Sequence, residues 1–189
     1  MPICKVKKRL RSNGFTLIEL LIGVVIIGIL SGIGGVNLQQ RWDKEQLKVA
    51  SRAAVEWLED TRMKAIQQSQ TCVVSINDAS TQLEASTVEN GNNCIELTNL
   101  DLLSTVPNLN QLKICSQSDI NTSSSCGSGT APVVTDIVFT PRGTVALGGL
   151  LKLHAGDTIT NRCIAITQPL GLIRQGIENS GTCNYNTAF

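Results

Sequence analysis

A single carboxylate, Glu19, stands inside a long apolar run, Phe15 to Val36, that carries no other charge. A charge in such a run costs roughly 2.5–3.5 kcal/mol on membrane-insertion scales and marks function with a nearby partner. The junction ahead of it suggests that partner. Gly14 abuts Phe15, and hydrolysis of that peptide bond would free a cationic amine on Phe15, four residues from Glu19. Amine and carboxylate can then neutralise each other, within one chain or between neighbouring chains of an apolar bundle.

Cysteines are the second chemically capable set. Cys4 lies in a basic leader, which leaves Cys72, Cys94, Cys115, Cys126, Cys163 and Cys183. None forms a C-x-x-C pair and His154 is the lone histidine, so zinc-ligand spacing is absent and no metal is expected. Six separated cysteines in a chain with an export-type start read as up to three disulfides formed in an oxidising compartment. Fifteen connectivities are open to six cysteines. Short intervals and local closure after export favour neighbour pairing, Cys72–Cys94, Cys115–Cys126 and Cys163–Cys183.

Catalytic patterns are missing. His154 has Asp157 three residues on but stands in a strand-like run, and no nucleophile arrangement accompanies it. There is no Gly-rich phosphate loop between a strand and a helix, and no acidic calcium loop. The sequence predicts no enzyme and no cofactor.

The elements that must carry these residues follow from charge and periodicity. Of 189 residues, Lys and Arg number 16 and Asp and Glu 15. Five basic groups (Lys5, Lys7, Lys8, Arg9 and Arg11) fall in the leader 1–14, whose removal turns the net charge from +1 to −4. A mildly acidic body argues against indiscriminate binding to phosphate backbones. Residues 15–36 are long enough to cross ~30 Å of hydrocarbon as a helix, and the leader's charges place the N-terminus in the cytoplasm with the body outside. Gly32, Gly34 and Gly35 weaken that helix by ~1 kcal/mol each relative to alanine, which suits close helix packing or an extensible point.

Over 37–69 the pattern becomes an amphipathic continuation of the helix, with Leu47, Ala50, Ala54, Trp57, Leu58, Thr61 and Ala65 recurring at spacings of three and four. No proline interrupts 15–68. From 70 to 189 the chain reads as a β-rich domain holding the disulfides. Strands are expected at Cys72–Ile76, Gln82–Ser86, Cys94–Thr98, Leu112–Cys115, Asp136–Thr140, Thr144–Leu147, Leu150–His154, Arg162–Thr167 and Gly171–Ile177, with a loop over Ser116–Pro132. The fold class expected is α+β, a long N-terminal helix packed on a small antiparallel sheet domain.

Behind its basic leader, Gly14-Phe15-Thr16-Leu17-Ile18-Glu19-Leu20 resembles the prepilin signal of type IV pilins and of the pseudopilins of type II secretion. The resemblance implies cleavage by a prepilin peptidase between Gly14 and Phe15, N-methylation of Phe15 and an assembly role for Glu19. Its implied partners are other pilins or pseudopilins and an inner-membrane assembly platform. The implied location is a single-pass inner-membrane subunit that enters a periplasmic or cell-surface fibre. Phe139-Thr-Pro141-Arg-Gly143, Arg162-Cys-Ile-Ala-Ile-Thr and Gly171-Leu-Ile-Arg174-Gln-Gly176 resemble the C-terminal half of GspH/FimT-type minor pilins. That implies a minor subunit of a type IV pilus-like fibre, with a type II secretion pseudopilin or a DNA-binding minor pilin of natural transformation as alternatives.

In the FimT branch a Gly-Arg-x-Arg motif on the last hairpin is associated with DNA capture. Gly171 and Arg174 match it, but Leu172 replaces the first arginine. One arginine makes few phosphate contacts, so DNA binding would require Arg162 and Lys152 to join Arg174 on one sheet face.

Overall fold

A computed structural model describes residues 15–77, 79, 81–88, 94, 99–107, 109, 112–118, 136–156, 160–179 and 182–185, with side chains omitted over 32–40. The chain divides into two compact units, Met1–Gln39 and Gln40–Phe189. With no proline to remove a donor, one helix, α1, runs over Leu17–Gln68 and stays helical through the glycines at 32, 34 and 35. In the first unit its described side chains up to Ser31 are almost all exposed, among them Leu17, Ile18, Leu21, Val25, Ile29 and Leu30. Among the described residues no helix is long and apolar enough to cross a membrane. The span expected over 15–36 continues past Ser31 and so lies partly outside the described side chains.

The second unit is α+β. Strands β1 (Cys72–Ile76), β2 (Gln82–Thr87), β3 (Leu100–Asp101), β5 (Ile137–Phe139) and β6 (Val145–Leu147) form one five-stranded sheet in the order β3-β2-β1-β5-β6. Strands β4 (Leu112–Gln117), β7 (Gly149–Ala155), β8 (Arg162–Thr167), β9 (Leu172–Asn179) and β10 (Thr182–Asn184) form a second, in the order β10-β9-β8-β7-β4. Every pairing is antiparallel. A single-turn helix, α2 (Leu102–Thr105), follows β3 and is capped by the Asp101 carboxylate, which accepts from the Leu103 amide at 2.9 Å.

The helical stripe and the strand alternation meet in one core. Leu47, Ala50, Ala54, Leu58 and Ala65 of α1 pack with Val74, Leu83, Ile137 and Phe139 of the first sheet and Ile114, Leu151, Leu153, Ile164 and Ile166 of the second. Trp57 is half-buried against this cluster, and Thr61 is buried with its hydroxyl donating to the Trp57 carbonyl at 2.8 Å. On the other face of the second sheet Leu150, Cys163 and Ala165 form a smaller cluster under Cys183 and Tyr185.

Several strand bounds differ from expectation. Ser116 and Gln117, read as loop, complete β4 because their partners Leu151 and Leu150 continue the ladder. Gly171 is the last residue of a turn (φ 67°), and β9 starts at Leu172. In the strand expected over Cys94–Thr98, Cys94 is a buried bend, and residues 95–98 lie outside the described ones. The rest of the expected loop, 119–132, lies there also.

Candidate functional site

Gly14 lies outside the described residues; Phe15, on the other side of the expected cleavage point, is 86% exposed. Thr16 precedes the first helical residue, and its carbonyl accepts the first helical bond, from Leu20 at 3.2 Å. The Glu19 amide donates to the Thr16 hydroxyl oxygen at 3.3 Å. In return, the Thr16 amide and hydroxyl donate to Glu19 Oε2 at 3.2 and 3.1 Å. This is a capping box: two otherwise orphaned amides at the helix start are satisfied reciprocally, with a carboxylate at the positive end of the helix dipole. Glu19 therefore has a partner within its own chain that the amine argument does not invoke. The signal lay in the spacing Thr16-x-x-Glu19 ahead of an apolar run.

The cysteines come together locally. Cys72 is disulfide-bonded to Cys94 and Cys163 to Cys183, with Cα atoms 5.7 and 6.1 Å apart. Cys115 is disulfide-bonded too, and its expected partner, Cys126, lies outside the described residues. The second bond runs beside Gly176, where a Cβ would stand only 2.7 Å from both Cys183 Sγ and the Asn184 carbonyl oxygen.

The three basic residues expected to form one DNA-contacting patch are not brought together. Arg174 pairs with Ala165 and Lys152 with Cys163, on one face of the second sheet, whereas Arg162 pairs with Ile177 on the other. Alternation along β8 enforces the split, because Cys163 and Ala165 share a parity that Arg162 lacks. Arg162 instead lies within the fields of Glu45 and Arg52 on α1; burial lowers its pKa, Glu45 opposes that and Arg52 adds to it. Lys152 is fully buried, and its Nζ contacts Glu178 Oε1 at 2.8 Å. Asn161 Nδ2 donates to Glu178 Oε2 at 2.7 Å, and Asn161 Oδ1 lies 2.8 Å from His154 Nδ1. His154 is thus part of a polar network at Lys152 and Glu178, and only Arg174 of the three expected contacts is exposed.

A residue that sequence reasoning missed organises the far end of α1. Arg62 Nε donates to the Gly143 carbonyl at 2.7 Å, Nη1 to Gly171 at 3.2 Å and Nη2 to Leu170 at 3.1 Å. The planar guanidinium fork thereby joins two turns, Thr140–Thr144 and Thr167–Leu172, to the helix. Both turns need glycine: Gly143 and Gly171 have φ of 74° and 67°. The first residue of β6 also reaches the second turn, the Val145 amide donating to the Pro169 carbonyl at 2.9 Å. Among the described residues no cluster of His, Cys, Asp and Glu could hold a metal ion.

The family model described as the prokaryotic N-terminal methylation motif matches residues 9–35. No curated protein matches the chain in sequence. Among solved structures, the type IV minor pilin FimU of Pseudomonas aeruginosa is 17% identical with a TM-score of 0.45, covering 78% of this chain and 94% of FimU. The minor pseudopilin EpsH from the type II secretion system of Vibrio cholerae is 14% identical with a TM-score of 0.49, covering 70% of this chain and 94% of EpsH. The methylation motif thus covers the start of a capped helix, and an α+β body follows in the chain.

Proposed function

We propose that this chain is a minor pilin-like subunit of a type IV pilus-like fibre. In this reading a prepilin peptidase cuts between Gly14 and Phe15 and Phe15 is N-methylated. The helix from Phe15 to Val36 holds the subunit in the inner membrane, N-terminus cytoplasmic, until an assembly platform passes it to other pilins. One observation carries the reading: the methylation motif over 9–35 covers the start of a helix whose described apolar side chains up to Ser31 are exposed. Exposed apolar surface of that extent requires lipid or neighbouring helices to cover it. Assembly through Glu19 agrees with its place in the capping box, where the carboxylate is already oriented at the helix start.

The test is mass spectrometry of the protein recovered from membranes and from sheared fibres. A mature chain beginning at N-methylated Phe15 is expected; an intact Met1 start in fibres would refute the proposal. Deleting the gene and scoring piliation, protein secretion and DNA uptake in parallel separates a pilus subunit from a secretion pseudopilin. Dispersal of Arg174, Arg162 and Lys152 over two faces and a buried ion pair speaks against a DNA-capturing patch on this hairpin.

A further inference from the structure

Among the described residues Lys152 is the only buried one that carries a charge. Its Nζ lies 2.8 Å from Glu178 Oε1, and the other oxygen of that carboxylate accepts from Asn161 Nδ2 at 2.7 Å. Sheet register accounts for the meeting. Lys152 stands opposite Cys163, and Asn161, two residues before Cys163, shares that face. The Glu178 amide in turn donates to the Asn161 carbonyl at 3.0 Å. The Asn161 side chain has a fixed sense. An ionised carboxylate only accepts, so Nδ2 faces Glu178 and Oδ1 faces His154 Nδ1 at 2.8 Å. Oδ1 also only accepts, so His154 Nδ1 carries the proton of that bond. A buried amine thus shares a site with an amide whose nitrogen touches a carboxylate and whose oxygen touches an N–H donor. These are the parts of an acyl transfer.

We propose that this site closes an intramolecular amide bond between Lys152 Nζ and Asn161 Cγ, with release of ammonia. The ion pair is the state of the freshly folded protein. Passing one proton from Nζ to Glu178 removes both charges from a dry site, where charge is costly, and leaves a nucleophilic amine. Nζ then turns from Oε1 onto Cγ, into the range of about 3–3.5 Å that attack requires. The His154 N–H holds the negative charge that develops on Oδ1. Glu178 delivers its proton to Nδ2, the Cγ–Nδ2 bond breaks, and the carboxylate takes the surplus proton from Nζ. Ammonia leaves with that proton as ammonium past Asn161, which is only half-buried. Glu178 ends ionised, and no oxidant or cofactor is consumed. The bond ties β7 to the residue that enters β8, however the subunit is assembled.

Full-length protein is held for days at neutral pH, denatured, reduced and digested with trypsin, then with a protease that cuts before aspartate. Unlinked chain gives Gly143–Lys152 and Leu153–Arg162 as separate peptides. The expected product is one peptide, Gly143–Arg162, one ammonia short of its sequence mass. It should be uncut at the acylated Lys152 and still joined after cleavage before Asp157. Glu178→Ala should close no bond, and His154→Phe should close it about a hundredfold more slowly. Separate peptides of full mass overturn the proposal. So does a peptide short of ammonia that falls in two at Asp157, since that is an asparagine imide with a missed cut. Lys152 joined to Glu178 with loss of water overturns Asn161 as the acceptor, and closure in Glu178→Ala overturns the role of the carboxylate. The parent digest decides without any variant, so a variant that fails to fold leaves the test standing.

Discussion

Arg62 Nε donates to the carbonyl oxygen of Gly143 at 2.7 Å, across 81 residues of sequence. With its two further bonds the side chain closes three carbonyls from two turns. Hydrogen bonds from a charged group are worth about 1.5–3 kcal/mol each, less where solvent reaches them. Arg62→Ala should therefore lower unfolding stability by about 2–4 kcal/mol, and Arg62→Lys should recover little, since an ammonium cannot span the fork. Chemical denaturation of the purified protein measures both; an Arg62→Lys variant as stable as the parent would contradict the clamp.

The buried pair of Lys152 and Glu178 makes a different prediction. Removing one partner strands the other charge, so Lys152→Met or Glu178→Gln should each cost about 3–5 kcal/mol. The double variant Lys152→Met with Glu178→Leu should recover a large part of that loss, because neither charge is left to desolvate. A double-mutant cycle by urea titration checks it, and simple additivity would sink the argument.

Tyr185 is the sole tyrosine, and burial raises its pKa, with Arg174 opposing. Its hydroxyl has no hydrogen-bond partner among the described residues. The fold thus favours the neutral phenol. That contribution is complete below the unfolded value of about 10 and is lost as pH rises through the higher folded value. Tyrosinate absorbance followed against pH should have its midpoint above 10, returning to about 10 in denaturant. Tyr185→Phe should flatten the alkaline fall in stability.

At the N-terminus, Glu19→Ala is expected to leave cleavage intact and to impair incorporation into fibres. The capping box adds a finer expectation. Thr16→Ser keeps the side-chain oxygen and should assemble normally, whereas Thr16→Val removes a cap worth about 1 kcal/mol and should reduce incorporation. Immunoblots of sheared fibres against membrane fractions, with mass spectrometry of the N-terminus, separate processing from assembly.

How much of this was legible in the sequence depends on the range of the interaction. β1 and β8 have the bounds that their β-branched runs and flanking turn residues imply, and the stripe from Leu47 to Ala65 is the buried face of α1. β3, α2 and β10 are two to four residues long, too short to display a period. The relative faces of Arg162 and Arg174 depend on hairpin register. Arg174 stands opposite Ala165, an odd step from Arg162, and a slip of one residue would have put both on one face. Arg62 was illegible for another reason. A charged residue off the apolar stripe gives no local sign that its targets are two turns 81 and 109 residues away.

The bond between Cys163 and Cys183 also has a mechanical consequence. It closes a stretch whose ends are 20 residues apart in sequence, containing β9 and the turn ahead of it. Extended chain reaches about 3.4 Å per residue, so roughly 70 Å of contour is withheld from any load applied along the polypeptide. A force that unravels the body can draw out the chain ahead of Cys163 but passes through the cystine, not through β9. Under tension the last hairpin would remain a closed loop, released to extend only by a reductant.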